Sequence, residues 1–126
     1  MPLRWLAPEV LQTKKCTQAS DVYSFGMTMY VVMTRGEMPF DKLEDKQVIE
    51  VLLAALRRAD NEQRPLVLAP PQTTPARLVK AYTCCIDIQA TKRPDFGKVA
   101  ELLSPYSATE PLFLLEPPSD VEESHL

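Results

Sequence analysis

The chain has 126 residues, room for at most one small domain with a tail. Its 45% hydrophobic and 25% charged content is ordinary for a globular chain, and a net charge of −3 without long Lys/Arg runs argues against nucleic acid as a partner. The three cysteines, Cys16, Cys84 and Cys85, are odd in number and match no zinc spacing, so they read as reduced intracellular thiols.

The first segment with clear periodicity is residues 20–34. Ser20 is the expected N-cap, and Val22, Tyr23, Phe25, Met27, Met29, Tyr30, Val31, Val32 and Met33 make the helix apolar on nearly every face. A helix apolar all round is expected to be buried all round, with Gly36 as its C-terminal stop. A second, amphipathic helix is expected over residues 45–58, where Val48, Ile49, Leu52, Leu53 and Leu56 recur at helical spacing.

Residues 61–73 are polar and rich in proline and read as a loop. Thr74 and Pro75 then supply an N-cap and first-turn pair for a third helix through Leu78, Val79, Tyr82 and Cys85. Asp95 caps a fourth, with Phe96, Val99, Leu102 and Leu103 forming one apolar stripe. No alternating strand pattern or internal repeat is visible, so the body is expected to be all-α. Apolar runs such as residues 30–33 are far too short to span a bilayer, and no secretory leader is visible.

Beyond residue 103 the composition shifts. Residues 104–126 carry five acids, four prolines and no Lys or Arg, whereas all 14 basic residues fall in residues 1–103. Residues 104–126 are expected to be a disordered tail, with the apolar stretch 111–115 able to dock. The chain ends Ser124-His125-Leu126, which resembles a class I PDZ ligand through Ser124 and Leu126. Ser104-Pro105-Tyr106 reads as a candidate phosphorylation site.

Separated motifs carry a wider resemblance. Leu3-Arg4-Trp5-Leu6-Ala7-Pro8-Glu9 is followed by Asp21-Val22-Tyr23-Ser24-Phe25-Gly26, then Gly36-Glu37-Met38-Pro39-Phe40, Gln63-Arg64-Pro65, and Cys85 eight residues before Arg93-Pro94-Asp95-Phe96. In this order and spacing they resemble the C-terminal part of a protein-kinase C-lobe, of the tyrosine-kinase or tyrosine-kinase-like group, over residues 1–103. The resemblance implies an all-α partial C-lobe of about four to five helices around a central buried helix. It casts Pro2, Leu3, Arg4 and Trp5 as the loop that seats the substrate residue after the phosphoacceptor. It implies an ion pair between Glu9 and Arg93, and it makes Asp21 the central-helix acid that would accept backbone N–H groups from a catalytic loop.

Three positions depart from the family pattern. Ile86 stands where a Trp is usual, Ala90 where a Pro is usual, and Val31 where a Glu is usual. They blur the subgroup rather than the fold.

The catalytic parts of a kinase are missing from these residues. Phosphoryl transfer needs a glycine-rich loop, a strand Lys, a catalytic-loop Asp and Asn, and a metal-binding Asp. The three glycines, Gly26, Gly36 and Gly97, form no such loop, and the single histidine, His125, leaves no His-Arg-Asp. Asp95-Phe96-Gly97 spells the magnesium-binding tripeptide but follows Ala7-Pro8-Glu9 instead of preceding it, so Asp95 is read as a helix cap. No catalytic, cofactor-binding or metal-binding residue is therefore expected here, and ATP and magnesium are expected only for a full-length parent. Two functions stay open ahead of a third, an unrelated helical adaptor. One is the C-terminal portion of a kinase domain, cytoplasmic or the intracellular part of a receptor, with a protein substrate or the missing N-terminal part as partner. The other is a stand-alone kinase-derived scaffold that binds partners through helix faces and a PDZ-ligand-like C-terminus.

Overall fold

The computed structural model describes residues 2–60 and 62–104, and they form five α-helices and two short 3₁₀ turns with no strand among them. After a 3₁₀ turn at Leu3–Trp5 come α1 (Pro8–Thr13), α2 (Gln18–Met33), α3 (Asp45–Arg58) and α4 (Ala76–Cys85). A second 3₁₀ turn at Ala90–Lys92 precedes α5 (Phe96–Leu103).

The central helix begins two residues earlier than its sequence suggests. Thr17 is the N-cap, its side chain accepting from Ser20 N at 3.2 Å while Ser20 Oγ accepts from Thr17 N at 2.6 Å. Ser20 thus closes a reciprocal capping box from inside the first turn rather than acting as the cap itself. At the other end Arg35 N donates to Val32 O and Gly36 N to Val31 O, the paired bonds of a Schellman stop. Arg35 takes the left-handed conformation, at φ +62°, and Gly36 follows at φ +111°.

The start of α4 also shifts by one residue. Pro75 occupies the N-cap position without a side-chain bond, and Thr74 lies in the preceding turn. Asp95 caps α5 through its side chain, which accepts from Lys98 N at 2.8 Å. The six-residue α1, with Pro8 in its first turn, had no periodic signal because it spans less than two turns.

α2 packs against α4, α4 against α5, and α1 against α3. The core they share is built from Val22, Tyr23 and Met27 of α2, Val48 and Leu52 of α3, Ala81, Tyr82 and Cys85 of α4, Val99 of α5, and Ala7 and Val10 near the start. The close approach of α2 to the end of α4 depends on a glycine. A Cβ at Gly26 would lie 2.6 Å from Ile86 Cγ2 and 3.1 Å from Cys85 Cβ. Ile86, one of the three residues that depart from the family pattern, thereby packs into the space Gly26 leaves open.

α2 is not buried all round. Asp21, Thr28 and Val32 are exposed and Phe25 is half-buried, and these positions recur at helical spacing as one stripe. The side chain of Thr28 makes part of that stripe less polar than its name suggests, since its hydroxyl donates back to Ser24 O. The other faces of the helix carry the core.

Three groups in this core resist ionisation. Burial pushes the Cys85 thiol up to about 12, with neighbouring Cys84 adding to the effect and Arg93 opposing it. Burial likewise raises the phenols of Tyr23 and Tyr82, the latter donating to Leu68 O at 2.7 Å.

Gly26→Ala is expected to destabilise the fold by about 1–3 kcal/mol, because overpacking outweighs the gain in helix propensity. Ile86→Leu, which removes Cγ2, should couple to it favourably in a double-mutant cycle of denaturant melts. The buried acids give a pH dependence of definite sign. In the unfolded chain the thiol and phenols release their protons first, so their contribution is complete below about pH 8 and shrinks as pH rises further. Thermal melts should therefore show a lower midpoint at about pH 10.5 than at about pH 8, and an unchanged midpoint would contradict the burial.

Candidate functional site

Residues 2–9 are held to the body at three points. Within the 3₁₀ turn, Trp5 N donates to Pro2 O and Leu6 N to Leu3 O. From the helix side, Ser24 Oγ donates to Trp5 O at 2.7 Å, so the middle of α2 fixes the loop's backbone. Pro2 is exposed, Leu3 half-buried, and Trp5 packs against the core.

Arg4 points inward, only 8% exposed. Its guanidinium donates to the carbonyls of Pro39 (3.1 Å), Phe40 and Leu43 (2.6 Å), and its Nε donates to Asp45 Oδ1 at 3.1 Å. A guanidinium offers five donors in a rigid fork, which suits a set of carbonyls converging from one turn. The charge pair with Asp45 adds little, since that carboxylate is 70% exposed. The Arg4 side chain therefore locks the loop onto the turn between α2 and α3, and the surface facing outward is made by Pro2, Leu3 and part of Trp5.

The second anchor is Arg93. It lies just after the 3₁₀ turn at Ala90–Lys92, in extended conformation, with its side chain fully buried. Nη1 and Nη2 donate to Glu9 Oε2 and Oε1 at 2.7 and 2.9 Å, a bidentate pair. Nη1 also donates to Ala19 O at 3.0 Å and Nε to Asp87 O at 2.8 Å. The guanidinium carbon stands 5.1 Å from the ring centre of Tyr23, a cation–π distance. One side chain thus joins α1, the first turn of α2, and the segment between α4 and α5. Glu9 sits in the first turn of α1, where a carboxylate also meets the positive end of the helix.

Asp87 has a second role. Its Oδ2 accepts from Arg64 Nε at 2.8 Å, tying the loop after α3 to the same segment, while its Oδ1 accepts from Gln89 N. Nothing in the local pattern around Arg64 or Asp87 marks them as partners, because they are 23 positions apart and each is flanked by ordinary loop residues. The inward turn of Arg4 was equally hidden, since all three carbonyl acceptors come from backbone.

Asp21 is exposed at the start of α2. Among the described residues its side chain has no hydrogen-bond or ion-pair partner. The desolvation that a fully buried helix would impose on it does not occur. Asp95, Phe96 and Gly97 lie at the exposed start of α5, with Phe96 stacked edge-on to Phe25 at 6.0 Å between ring centres. The described residues hold no cluster of three or more His, Cys, Asp or Glu that could bind a metal, and no helix among them is long and apolar enough to cross a membrane. Ser124 and Leu126 lie outside the described residues.

Comparison with known proteins agrees with this geometry. A profile described as protein tyrosine and serine/threonine kinase matches residues 1–103. The chain belongs to the protein tyrosine and serine/threonine kinase family. Ephrin type-A receptor 4-A of Xenopus laevis is 33% identical over 103 residues, covering 82% of this chain and 9% of the relative. Receptor-like tyrosine-protein kinase kin-15 of Caenorhabditis elegans is 31% identical over 116 residues, covering 92% of this chain and 22% of the relative. The chain therefore spans less than a quarter of the length of these relatives. Its helices are those of a partial kinase C-lobe.

Removing Arg93 should cost more than removing any other charge of the body. Arg93→Ala strands the Glu9 carboxylate and abolishes every contact of the guanidinium, with an expected loss of about 3–5 kcal/mol in denaturant melts. Glu9→Gln keeps the shape and leaves Arg93 its two carbonyls and the Tyr23 ring, so about 1–2 kcal/mol is expected. Equal and negligible losses, within about 0.5 kcal/mol of the unmodified chain, would contradict the arrangement.

Proposed function

We propose that this chain is the C-terminal portion of a tyrosine-kinase-type catalytic domain, supplying the substrate platform and the structural closure of the lobe but none of the phosphoryl-transfer groups. The observation that carries this reading is Asp21. A carboxylate at the head of the central helix, exposed and without a partner among the described residues, is a prepared acceptor. In the family the matching acid accepts backbone N–H groups from the catalytic loop, and that loop is not among these 126 residues. The exposed stripe that runs from Asp21 through Thr28 to Val32 gives the rest of the domain a face to cover.

In this reading the loop of Pro2, Leu3, Arg4 and Trp5 presents its backbone and outer side chains to a protein substrate, while Arg4 holds it rigid from behind. ATP and magnesium are bound by a whole parent through residues that these 126 do not contain. The parent's kinase domain works in the cytoplasm, as a cytoplasmic enzyme or as the intracellular part of a receptor. Ser124 and Leu126 offer a PDZ domain a terminal ligand. A second reading, a stand-alone scaffold, draws support from the Arg93 network, which closes the body using only residues of this chain.

Mapping the transcript upstream of the Met1 codon separates the two. A continuous frame encoding His-Arg-Asp and Asp-Phe-Gly supports the first reading, whereas an in-frame stop directly upstream in a translated message favours the scaffold. In either case calorimetry of the 126-residue chain with magnesium-ATP is expected to show no binding heat. Micromolar affinity would overturn the assignment of Asp95 to capping alone.

A further inference from the structure

Tyr30 stands about 200° around α2 from Thr28 and Val32, so it lies on the far side of the helix from the exposed stripe. There the end of α2 and the loop before α4 enclose a recess of about 380 Å³. Tyr30, Met33 and Glu37 line it from the helix end, and Pro70 and Pro71 line it from the loop.

Both walls are fixed by the chain itself. Thr34 Oγ donates to Tyr30 O at 2.9 Å and accepts from Glu37 N at 3.0 Å, which knits the helix end to the residues after it. The Tyr82 ring lies 6.2 Å from the Tyr30 ring, centre to centre, and its hydroxyl holds Leu68 O just before the loop wall. Thr74 N donates to Pro71 O at 3.0 Å and closes the loop's far end. The recess is therefore preformed.

We propose that this recess seats an arginine side chain presented by a protein partner. Charge complementarity is the first reason. Among the described residues the exposed carboxylates of Glu37 and Asp41 have no hydrogen-bond or ion-pair partner. Both act on the Tyr30 phenol, whose ionisation is held back by burial first and then by these two carboxylates. The last carbonyls of α2 add the negative end of the helix dipole. Surface chemistry is the second reason. Met33, Pro70 and Pro71 offer apolar contact to an aliphatic stem, and Tyr30 offers the planar guanidinium an aromatic ring. A lysine would match the charge without the planar stacking. Arg35, the one cation among the lining residues, opposes the charge but is outnumbered by the two carboxylates and the helix end. The proposal goes beyond the kinase reading and does not rest on it.

The test titrates the isotope-labelled 126-residue chain with N-acetyl-arginine methylamide and, at matched ionic strength, with its neutral isostere N-acetyl-citrulline methylamide. The arginine probe should shift the Thr34 and Glu37 amide resonances saturably, in the millimolar range expected of one side chain, and the citrulline probe should not. Glu37→Gln should weaken the arginine probe about fivefold, and Arg35→Gln should tighten it. Both residues are exposed, so the variants should keep the fold, which an unchanged melting midpoint verifies. Equal shifts from the two probes overturn the proposal, as does the lack of any saturable shift. So does an arginine response that Glu37→Gln leaves intact or that Arg35→Gln abolishes, the latter being the behaviour of an anion site. Free L-arginine binding more tightly than the capped probe would mark a small-molecule site and overturn it as well.

Discussion

The buried guanidinium of Arg93 is the constraint on which the remaining arrangement depends. A cation with a fully buried side chain is tolerable only if its donors are satisfied, and Glu9, Ala19 O and Asp87 O do this from three different parts of the chain. Satisfying them fixes where α1 meets α2 and where the segment between α4 and α5 passes. The loop at residues 2–5 inherits its position from that junction at one end. Arg4 fixes the other side by gathering the carbonyls of the α2–α3 turn. Two arginines, each used as a multi-dentate backbone clamp, thus hold a short irregular segment that has too few apolar residues to hold itself.

The fold class and four of the five α-helices are legible in the sequence because their apolar residues recur at helical spacing. Boundaries are less legible. Ser20 looks like an N-cap because its hydroxyl does bond a backbone amide at the helix start, but a capping box places the same residue type at both ends of the bond, and Thr17 is the other one. Arg35 rather than Gly36 takes the first left-handed position, since the Schellman bonds are set by the helix end and not by the glycine. Full burial of α2 does not follow from its composition. A helix apolar in composition can still leave one stripe open, as α2 does from Asp21 through Thr28 to Val32.

The functional elements divide in the same way. Motif order brings Glu9 and Arg93 into relation across 84 positions, which no local pattern could do. Asp21 and Asp95 are placed at helix starts by their neighbours, and there the resemblance and the local chemistry agree. What the sequence hides are interactions in which one partner is backbone, such as Arg4 with three carbonyls and Ser24 with Trp5 O, and the close approach at Gly26. A side chain aimed at a carbonyl leaves no paired residue to recognise. Together these features describe a helical segment of the protein-kinase family, built as part of a C-lobe.

Native-state hydrogen exchange tests most directly whether Arg93 makes the first helix part of the body. A six-residue helix such as α1 has no protection of its own in water. If the network joins it to the core, the Lys14 amide, bonded to Val10 O at 2.9 Å, should exchange with a free energy within about 1 kcal/mol of the amides in the middle of α2. Exchange of Lys14 at a free energy about 3 kcal/mol or more below that of α2 would show α1 opening alone, and would contradict the central place given to Arg93.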